Sequence, residues 1–285
     1  MKTVTSVHEM TNLAYAFRSV GKRIVLIPTM GALHRGHLSL LKIAKELADV
    51  TVMSVFVNPT QFGPHEDYSR YPRPFDEDCR KAEAAGCDVV FAPAAGDMYP
   101  PLHSTSVQVD GITTRLCGKS RPTHFQGVTT VVLKLFNCIK PHFAVFGQKD
   151  AQQLIIIRRM VEDLYCPVDI VAAPIVREND GLALSSRNAY LTQEERSAAV
   201  LISEGLQAVE KLFSDGERHT APLIETIEER FAQSSLIAPE YVEIVDLCLL
   251  EPVDRIADSA LVAVACRMGQ SNTRLIDNII LGGRL

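Results

Sequence analysis

Between residues 23 and 176 the chain alternates short apolar runs of strand character with longer runs of helical period. RIVLIPT (23–29), VTVMSVFVNP (50–59), CDVVFAP (87–93), HFAVFG (142–147) and VDIVAAPIV (168–176) read as strands. LSLLKIAKELA (38–48), FDEDCRKAEAAG (75–86), GVTTVVLKLFNCIKP (127–141) and AQQLIIIRRMVEDL (151–164) read as the helices that separate them. The run 50–59 is rich in β-branched residues and lacks polar alternation, the pattern of a parallel strand covered on both faces. Strand–helix alternation of this kind predicts an α/β fold with a doubly wound parallel sheet.

The character changes after about residue 187. A helix is expected over 192–213, opened by Thr192 with Glu195 three residues later, the pattern of a capping box. A second helix is expected over 221–233, then strands at 241–247, 260–268 and 273–281. The reading is two domains: 1–182, carrying the parallel sheet, and 183–285, a smaller C-terminal α+β domain.

Net charge is −5, which argues against affinity for nucleic-acid backbone, since that needs a basic face. The seven cysteines form no C-x-x-C pair, so neither a zinc ribbon nor a thioredoxin-like site is expected. Scattered thiols of this kind suit a reducing, cytoplasmic compartment. The N-terminal residues lack a long apolar core and carry His8 and Glu9, so no signal peptide is read there. Lys134 interrupts the best apolar run, and no membrane span is expected.

The stretch IPTMGALHRGHLSLLKIA (27–44) places Gly31, His34, Gly36 and His37 where a strand hands over to a helix. If the helix begins near Ala32 to His34, both histidines lie on one face of its N–H-rich end, which attracts phosphate. Gly31 would let the strand turn tightly, and Gly36 would let a ligand approach closely. A metal site fits less well. The helical zinc pair is spaced i,i+4 around a glutamate, whereas Arg35 and Gly36 stand between these histidines. Two surface histidines in a loop is the third reading.

Two further anion-ready clusters lie at strand ends. GQKD (147–150) supplies Lys149 and Asp150 outside a strand's carboxyl end, where open α/β sheets bind ligands. SSRN (185–188) supplies Ser185, Ser186 and Arg187. Asn58 and Gln61 in NPTQF, with Gln153, offer neutral amides suited to a small polar acid with hydroxyls. CGKS (117–120) is a decoy. A Walker A loop needs glycine where Thr113 stands.

In order, T-M-G-A-L-H-x-G-H, V-N-P-x-Q-F, L-C-G-x-x-R-P, H-F-x-G-V-x-T-V-V, F-G-x-K-D-x-Q-Q and D-G-L-A-x-S-S-R-N run from about residue 24 to 190. This set resembles the pantoate–β-alanine ligases, a family of HIGH-motif nucleotidyltransferases with a Rossmann-like fold. HRGH (34–37) looks like the HIGH element, and LSSR (184–187) occupies the place of the mobile KMSKS-type loop.

The resemblance implies adenylation of pantoate by ATP, with release of pyrophosphate. β-Alanine then attacks the acyl adenylate to give pantothenate and AMP. His37 would be the acid and, with His34, would contact ATP phosphates, which Lys149, Ser185, Ser186 and Arg187 would hold. Met30, Gly31, Gly36 and Leu184 would complete the ATP site, with Gly147 and Asp150 at the ribose and the Val176 backbone at adenine. Met30, Gln61 and Gln153 would frame pantoate, with Asn58 and Tyr71 nearby. Mg²⁺ would enter with ATP, and no prosthetic group is implied. The family further implies a homodimer and a C-terminal domain that closes over the site, with 179–187 as the moving loop.

Two positions depart from the family pattern. Thr123 stands where glycine is usual and would be strained at positive φ; Thr60 replaces a commoner apolar residue. Three alternatives remain at this point: another HIGH-motif nucleotidyltransferase, a nucleotide-binding regulatory protein without turnover, and a metal-dependent hydrolase. The last lacks an acidic partner near the histidines.

Overall fold

The structure, a computed structural model, describes residues 1–64 and 66–285. It divides into two compact units. One comprises Met1–Thr113, Arg121–Gly147 and Ile156–Ala173. The other comprises Thr114–Ser120, Gln148–Ile155 and Pro174–Leu285.

The first unit is built on β1 (Lys2–Val4), α1 (Val7–Ser19), β2 (Ile24–Thr29), α2 (Arg35–Leu47), β3 (Val50–Val55), α3 (Phe75–Ala84) and β4 (Val89–Phe91). A short turn of helix, α4 (Ala95–Met98), follows. After α5 (Cys117–Ser120), which belongs to the second unit, come α6 (His124–Ile139) and β5 (Phe143–Gly147). Helix α7 (Ala151–Asp163), whose residues from Ile156 on belong to this unit, and β6 (Asp169–Ala173) follow. The six strands form one parallel sheet in the order β1-β4-β3-β2-β5-β6, the expected α/β architecture. Strand β2 lies inside it, in register with β3 from Ile24↔Val50 to Thr29↔Val55 and with β5 at Val25 and Leu26.

One face of the sheet buries Val25, Ile27, Met53, Val90 and Val145 against Leu40, Leu41 and Ala44 of α2 and Ala82 of α3. That packing aims the start of α2 at the carboxyl end of β2. Elements that escaped the sequence reading include β1 and α1. β1 has three residues and no periodicity to show; it forms only by pairing Lys2–Val4 with Val89–Phe91. α1 opens on Ser6, whose side chain accepts the Glu9 N–H.

Helix α6 forms although it is rich in β-branched residues. The Thr129 and Thr130 hydroxyls donate to the carbonyls four residues back, at 2.8 and 2.6 Å, so neither hydroxyl is stranded in the core. It ends at Lys140, in the left-handed region (φ 48°), one residue before Pro141.

The second unit carries α8 (Gln193–Ala198), α9 (Val200–Ser214), α10 (Thr220–Phe231), β7 (Ile237–Val245), β8 (Ala260–Met268) and β9 (Thr273–Leu281). The expected single helix over 192–213 is two, divided at Ala199, and the capping box of Thr192 and Glu195 is present. β7 begins four residues earlier than expected and carries an irregularity between Pro239 and Tyr241. β7-β8-β9 is antiparallel, and its core is filled by Ile202, Leu206 and Val209 of α9 with Leu223 and Ile227 of α10.

His142 precedes β5 and accepts the Ile24 N–H on Nδ1 at 3.0 Å. Burial, then the nearby Arg18, push its pKa below the ordinary histidine value. The unfolded chain therefore takes up the proton first, and stability falls as pH drops below about 6.5. Chemical denaturation of wild type and His142→Asn between pH 8 and 5 checks this. The variant, which keeps an acceptor without a titrating ring, should lose less stability over that range.

Candidate active site

The turn after β2 is the first part of the site. Thr29 donates its hydroxyl to the Ser54 carbonyl at 2.6 Å and accepts the Gly31 N–H at 3.2 Å. Gly31 turns the chain at φ 82°, followed by Ala32 at φ 50°. The helix starts at Arg35, ahead of the run 38–48 read as helical, and His34 is its N-cap. His34 Nδ1 accepts the Gly36 N–H at 3.1 Å, and His37 Nδ1 accepts the His34 N–H at 3.3 Å. This is a capping box made of two imidazoles rather than a hydroxyl and a carboxylate.

Capping decides the tautomer. A neutral ring whose Nδ1 accepts carries its proton on Nε2. The rings stack with centroids 4.0 Å apart and planes at 29°, which sets two Nε2–H groups side by side at one helix end. Such an arrangement offers hydrogen bonds to an oxyanion.

The second part is the 3₁₀ turn Pro59–Gln61, capped by Asn58. Asn58 is buried and saturated by protein. Its Nδ2 donates to Gln61 Oε1 and to the Gly127 carbonyl, both at 3.1 Å, while its Oδ1 accepts from Thr60 Oγ1 and Tyr99 OH at 3.0 and 2.8 Å. Gln61 Nε2 lies 3.0 Å from Met30 Sδ. Asn58 therefore orients Gln61, and Gln61 stands beside Met30. The Gln61 carbonyl is held by His124 Nδ1 at 2.8 Å and Arg121 at 3.2 Å. Arg121 is in turn paired in two-point fashion with Glu66. Burial works to raise the Glu66 carboxyl, but the Arg121 contact and its charge outweigh it and hold the group below the ordinary glutamate value. Tyr71 is buried, edge-on to Phe62 at 6.0 Å.

The remaining residues of interest lie in the second unit or at the end of β5. Gly147 closes β5 with room for a side chain, since a Cβ there would be 4.0 Å from Leu40. Gln148–Asp150 form a 3₁₀ turn whose carbonyls at Gln148 and Lys149 accept from Asn278 Nδ2 at 3.0 and 2.9 Å. Among the described residues, neither the Lys149 ammonium nor the Gln153 amide has a hydrogen-bond or ion-pair partner, although both side chains are half-buried. The Val176 carbonyl accepts the Leu184 N–H at 2.9 Å, closing a hairpin. Arg177 anchors it, paired at two points with buried Asp277, at 2.6 and 3.1 Å. Ser185 caps the following turn by accepting the Arg187 N–H at 3.3 Å, with Ser186 and Arg187 half-buried in that turn.

Several structural partners were not singled out from sequence. Asp78, which accepts the Ala32 and Leu33 N–H groups, and Lys81, which donates to the Leu33 carbonyl, organise the first part of the site, and Glu66, Arg121, His124 and Gly127 the second. The motif H-F-x-G-V carried the signal for His124 and Gly127. Thr123 itself is unstrained, at φ −97°, so the departure from glycine costs the turn nothing. CGKS forms the short helix α5. Thr60 uses its hydroxyl on Asn58.

The family model for pantoate-beta-alanine ligase matches residues 2–280. The chain belongs to that family. It is 50% identical over 281 residues to the pantothenate synthetase of Acetivibrio thermocellus and 51% identical over 282 residues to that of a Thermoanaerobacter species, covering 99% of each chain in both cases. Among solved structures it resembles pantothenate synthetase from Thermus thermophilus, with a TM-score of 0.92, 42% identity, and 98% and 99% of the two chains covered. It also resembles the Francisella tularensis pantoate-beta-alanine ligase complexed with β-γ ATP and β-alanine, with a TM-score of 0.80, 32% identity, and 98% and 97% covered.

In this family member Gly127 is required by packing. A Cβ there would stand 2.5 Å from the Thr60 carbonyl carbon and 2.7 Å from the Gln61 nitrogen. Glycine to alanine inside a helix ordinarily stabilises by up to about 1 kcal/mol. Gly127→Ala should instead destabilise, by about 1–3 kcal/mol, through overpacking. Urea denaturation reads the sign directly.

Proposed function

We propose that the chain condenses pantoate with β-alanine, using ATP and releasing AMP and pyrophosphate. Family membership over nearly the whole chain supports the reaction. The observation that carries the residue roles is the stacked His34–His37 pair, whose capping commits both Nδ1 atoms and sets both rings as Nε2–H donors.

In the first step a pantoate carboxylate oxygen attacks the α-phosphorus. The bond to the bridging oxygen breaks, and pyrophosphate leaves. The enzyme needs to hold two reactants in line and neutralise the leaving group, and it needs no covalent nucleophile. His34 and His37 donate to the phosphates in the manner of a HIGH motif, with His37 as the acid. Lys149 suits the same role because its ammonium carries no protein counter-charge among the described residues, and Ser185, Ser186 and Arg187 complete the phosphate set. Mg²⁺ enters with the nucleotide and supplies further charge neutralisation. Gly147 and Asp150 take the ribose, the Val176 backbone takes adenine, and Met30, Gly31, Gly36 and Leu184 line the nucleotide.

Met30, Gln61 and Gln153 frame pantoate. Gln61 is preset by Asn58, and the half-buried Gln153 amide is available for a hydroxyl or carboxylate. Tyr71 supports this region from the buried side. In the second step the β-alanine amine attacks the acyl carbonyl, and AMP leaves with the electron pair of the broken C–O bond. No prosthetic group takes part in either step as written. Residues 1–182 and 183–285 are read as the two functional domains. The hairpin base is anchored by Arg177–Asp277, so any movement with ATP is assigned to its Ser185–Arg187 end. Seven free thiols support a cytoplasmic compartment; the homodimer rests on the family relationship.

The test is pyrophosphate release from Mg-ATP with pantoate present and β-alanine absent, followed by AMP and amide after β-alanine is added. Pantoate-dependent pyrophosphate is expected. ATP binding without pyrophosphate would overturn the reading in favour of a nucleotide-binding regulator. His37→Ala and Lys149→Ala should each lower adenylation at least ~10²-fold, as loss of an oxyanion donor does. Near-normal kcat/KM in His37→Ala would remove His37 from the mechanism.

A further inference from the structure

We propose that Asp78 is a positioning residue for adenylation: its carboxylate is a built-in anion that shapes the Gly31–His34 turn and so fixes where the two imidazoles stand. This rests on the reading of His34 and His37 as phosphate donors.

Asp78 lies in the first turns of α3, is 1% exposed, and has no partner of opposite charge in direct ion-pair contact among the described residues. Its Oδ2 accepts the Ala32 N–H at 2.9 Å, and its Oδ1 accepts the Leu33 N–H at 2.6 Å. Successive backbone N–H groups of a turn gathered on one anion form a nest, a common site for anions. Here the chain fills the nest itself. Ala32, a non-glycine residue at φ 50°, is held in the sparsely populated left-handed region by that hydrogen bond. Gly31 is required for the fit, because a Cβ would stand 2.9 Å from Asp78 Oδ2 and 3.0 Å from Val55 Cγ1. Lys81, one helical turn on, donates to the Leu33 carbonyl at 2.7 Å and pairs with Glu77 at 2.8 Å. Both peptide groups of Leu33 are thereby tied to α3, and the next N–H, of His34, goes to His37 Nδ1.

Two consequences follow. A nucleotide phosphate cannot take the Ala32 and Leu33 N–H groups without expelling Asp78. The turn therefore differs from a glycine-rich phosphate loop: backbone donors are spent internally, and the imidazoles do the donating. Secondly, the turn needs the ionised carboxylate, since a protonated carboxyl would aim an O–H at an N–H. Asp78 faces Lys81, Glu77 and Cys79 from its own helix, and Arg73 and Tyr68 line with it and Met30 a cavity of about 260 Å³; β3 presents no titratable group there. Burial pushes the Asp78 carboxyl above the ordinary aspartate value, against the two N–H groups and Lys81. Adenylation should then decline on the acid side as Asp78 takes up a proton.

The experiment is the pH profile of kcat and of KM for ATP in pantoate-dependent pyrophosphate release, for wild type and Asp78→Asn. The amide of that variant would mimic the protonated state permanently. The expected result is kcat lower by about 10²-fold, the scale of a misplaced catalytic group, with KM for ATP changed much less and the wild-type acid limb absent. A variant with wild-type kcat, or one that keeps the same acid limb, would overturn the proposal. A merely structural role would lower the active fraction and melting temperature without moving the limb. Should Asp78→Asn not fold, carboxyl ¹³C NMR of wild type decides: titration of Asp78 must coincide with the kinetic limb, and a mismatch overturns the proposal. Wild type that releases no pyrophosphate at any pH would instead defeat the functional reading.

Discussion

Strand β2 has parallel partners on both sides, so the chain leaves its carboxyl end inside the protein rather than at an edge. Gly31 and Leu33 of the following turn are buried, and an unpaired buried amide costs about 1–3 kcal/mol. The Gly31 N–H is met by Thr29, those of Ala32 and Leu33 by Asp78, that of His34 by His37 and that of Gly36 by His34. The proposed chemistry is built on this solution. Because imidazoles serve as the caps, the helix start acquires two oriented N–H donors that a serine or aspartate cap would not supply.

The same logic operates at the Pro59–Gln61 turn. Asn58, Gly127, His124 and Arg121 hold both the backbone and the side chain of Gln61, and Glu66 holds Arg121. The amide proposed for substrate is thus fixed in rotamer before any ligand arrives, which would reduce the ordering cost of binding. In the second unit, Asn278 of β9 supports the Gln148–Asp150 turn by two carbonyls, leaving the Lys149 ammonium uncommitted among the described residues.

Much of this was legible in the sequence. The strand pattern followed from apolar runs, and the functional stretches from residues clustered at strand ends. What escaped were interactions with no local signature. Asp78 sits in an acidic first turn, where F-D-E-D reads as helix-dipole complementation; only folding shows that one of its three acids turns inward. Gly127 reads as a flaw in a helix until the Thr60 backbone is found against it. Ala199, which divides the helix expected over 192–213, carries no sequence mark of a break.

The sequence alone determined the element types, the parallel sheet and the family, because periodicity, turn chemistry and ordered motifs are properties of neighbouring residues along the chain. Tertiary structure decided the tautomers of His34 and His37, the role of Asn58 as a holder of Gln61, and the self-filled nest at Asp78. Those depend on polar groups 3 to 69 positions apart meeting at hydrogen-bond distance, and burial, not sequence proximity, makes such meetings obligatory.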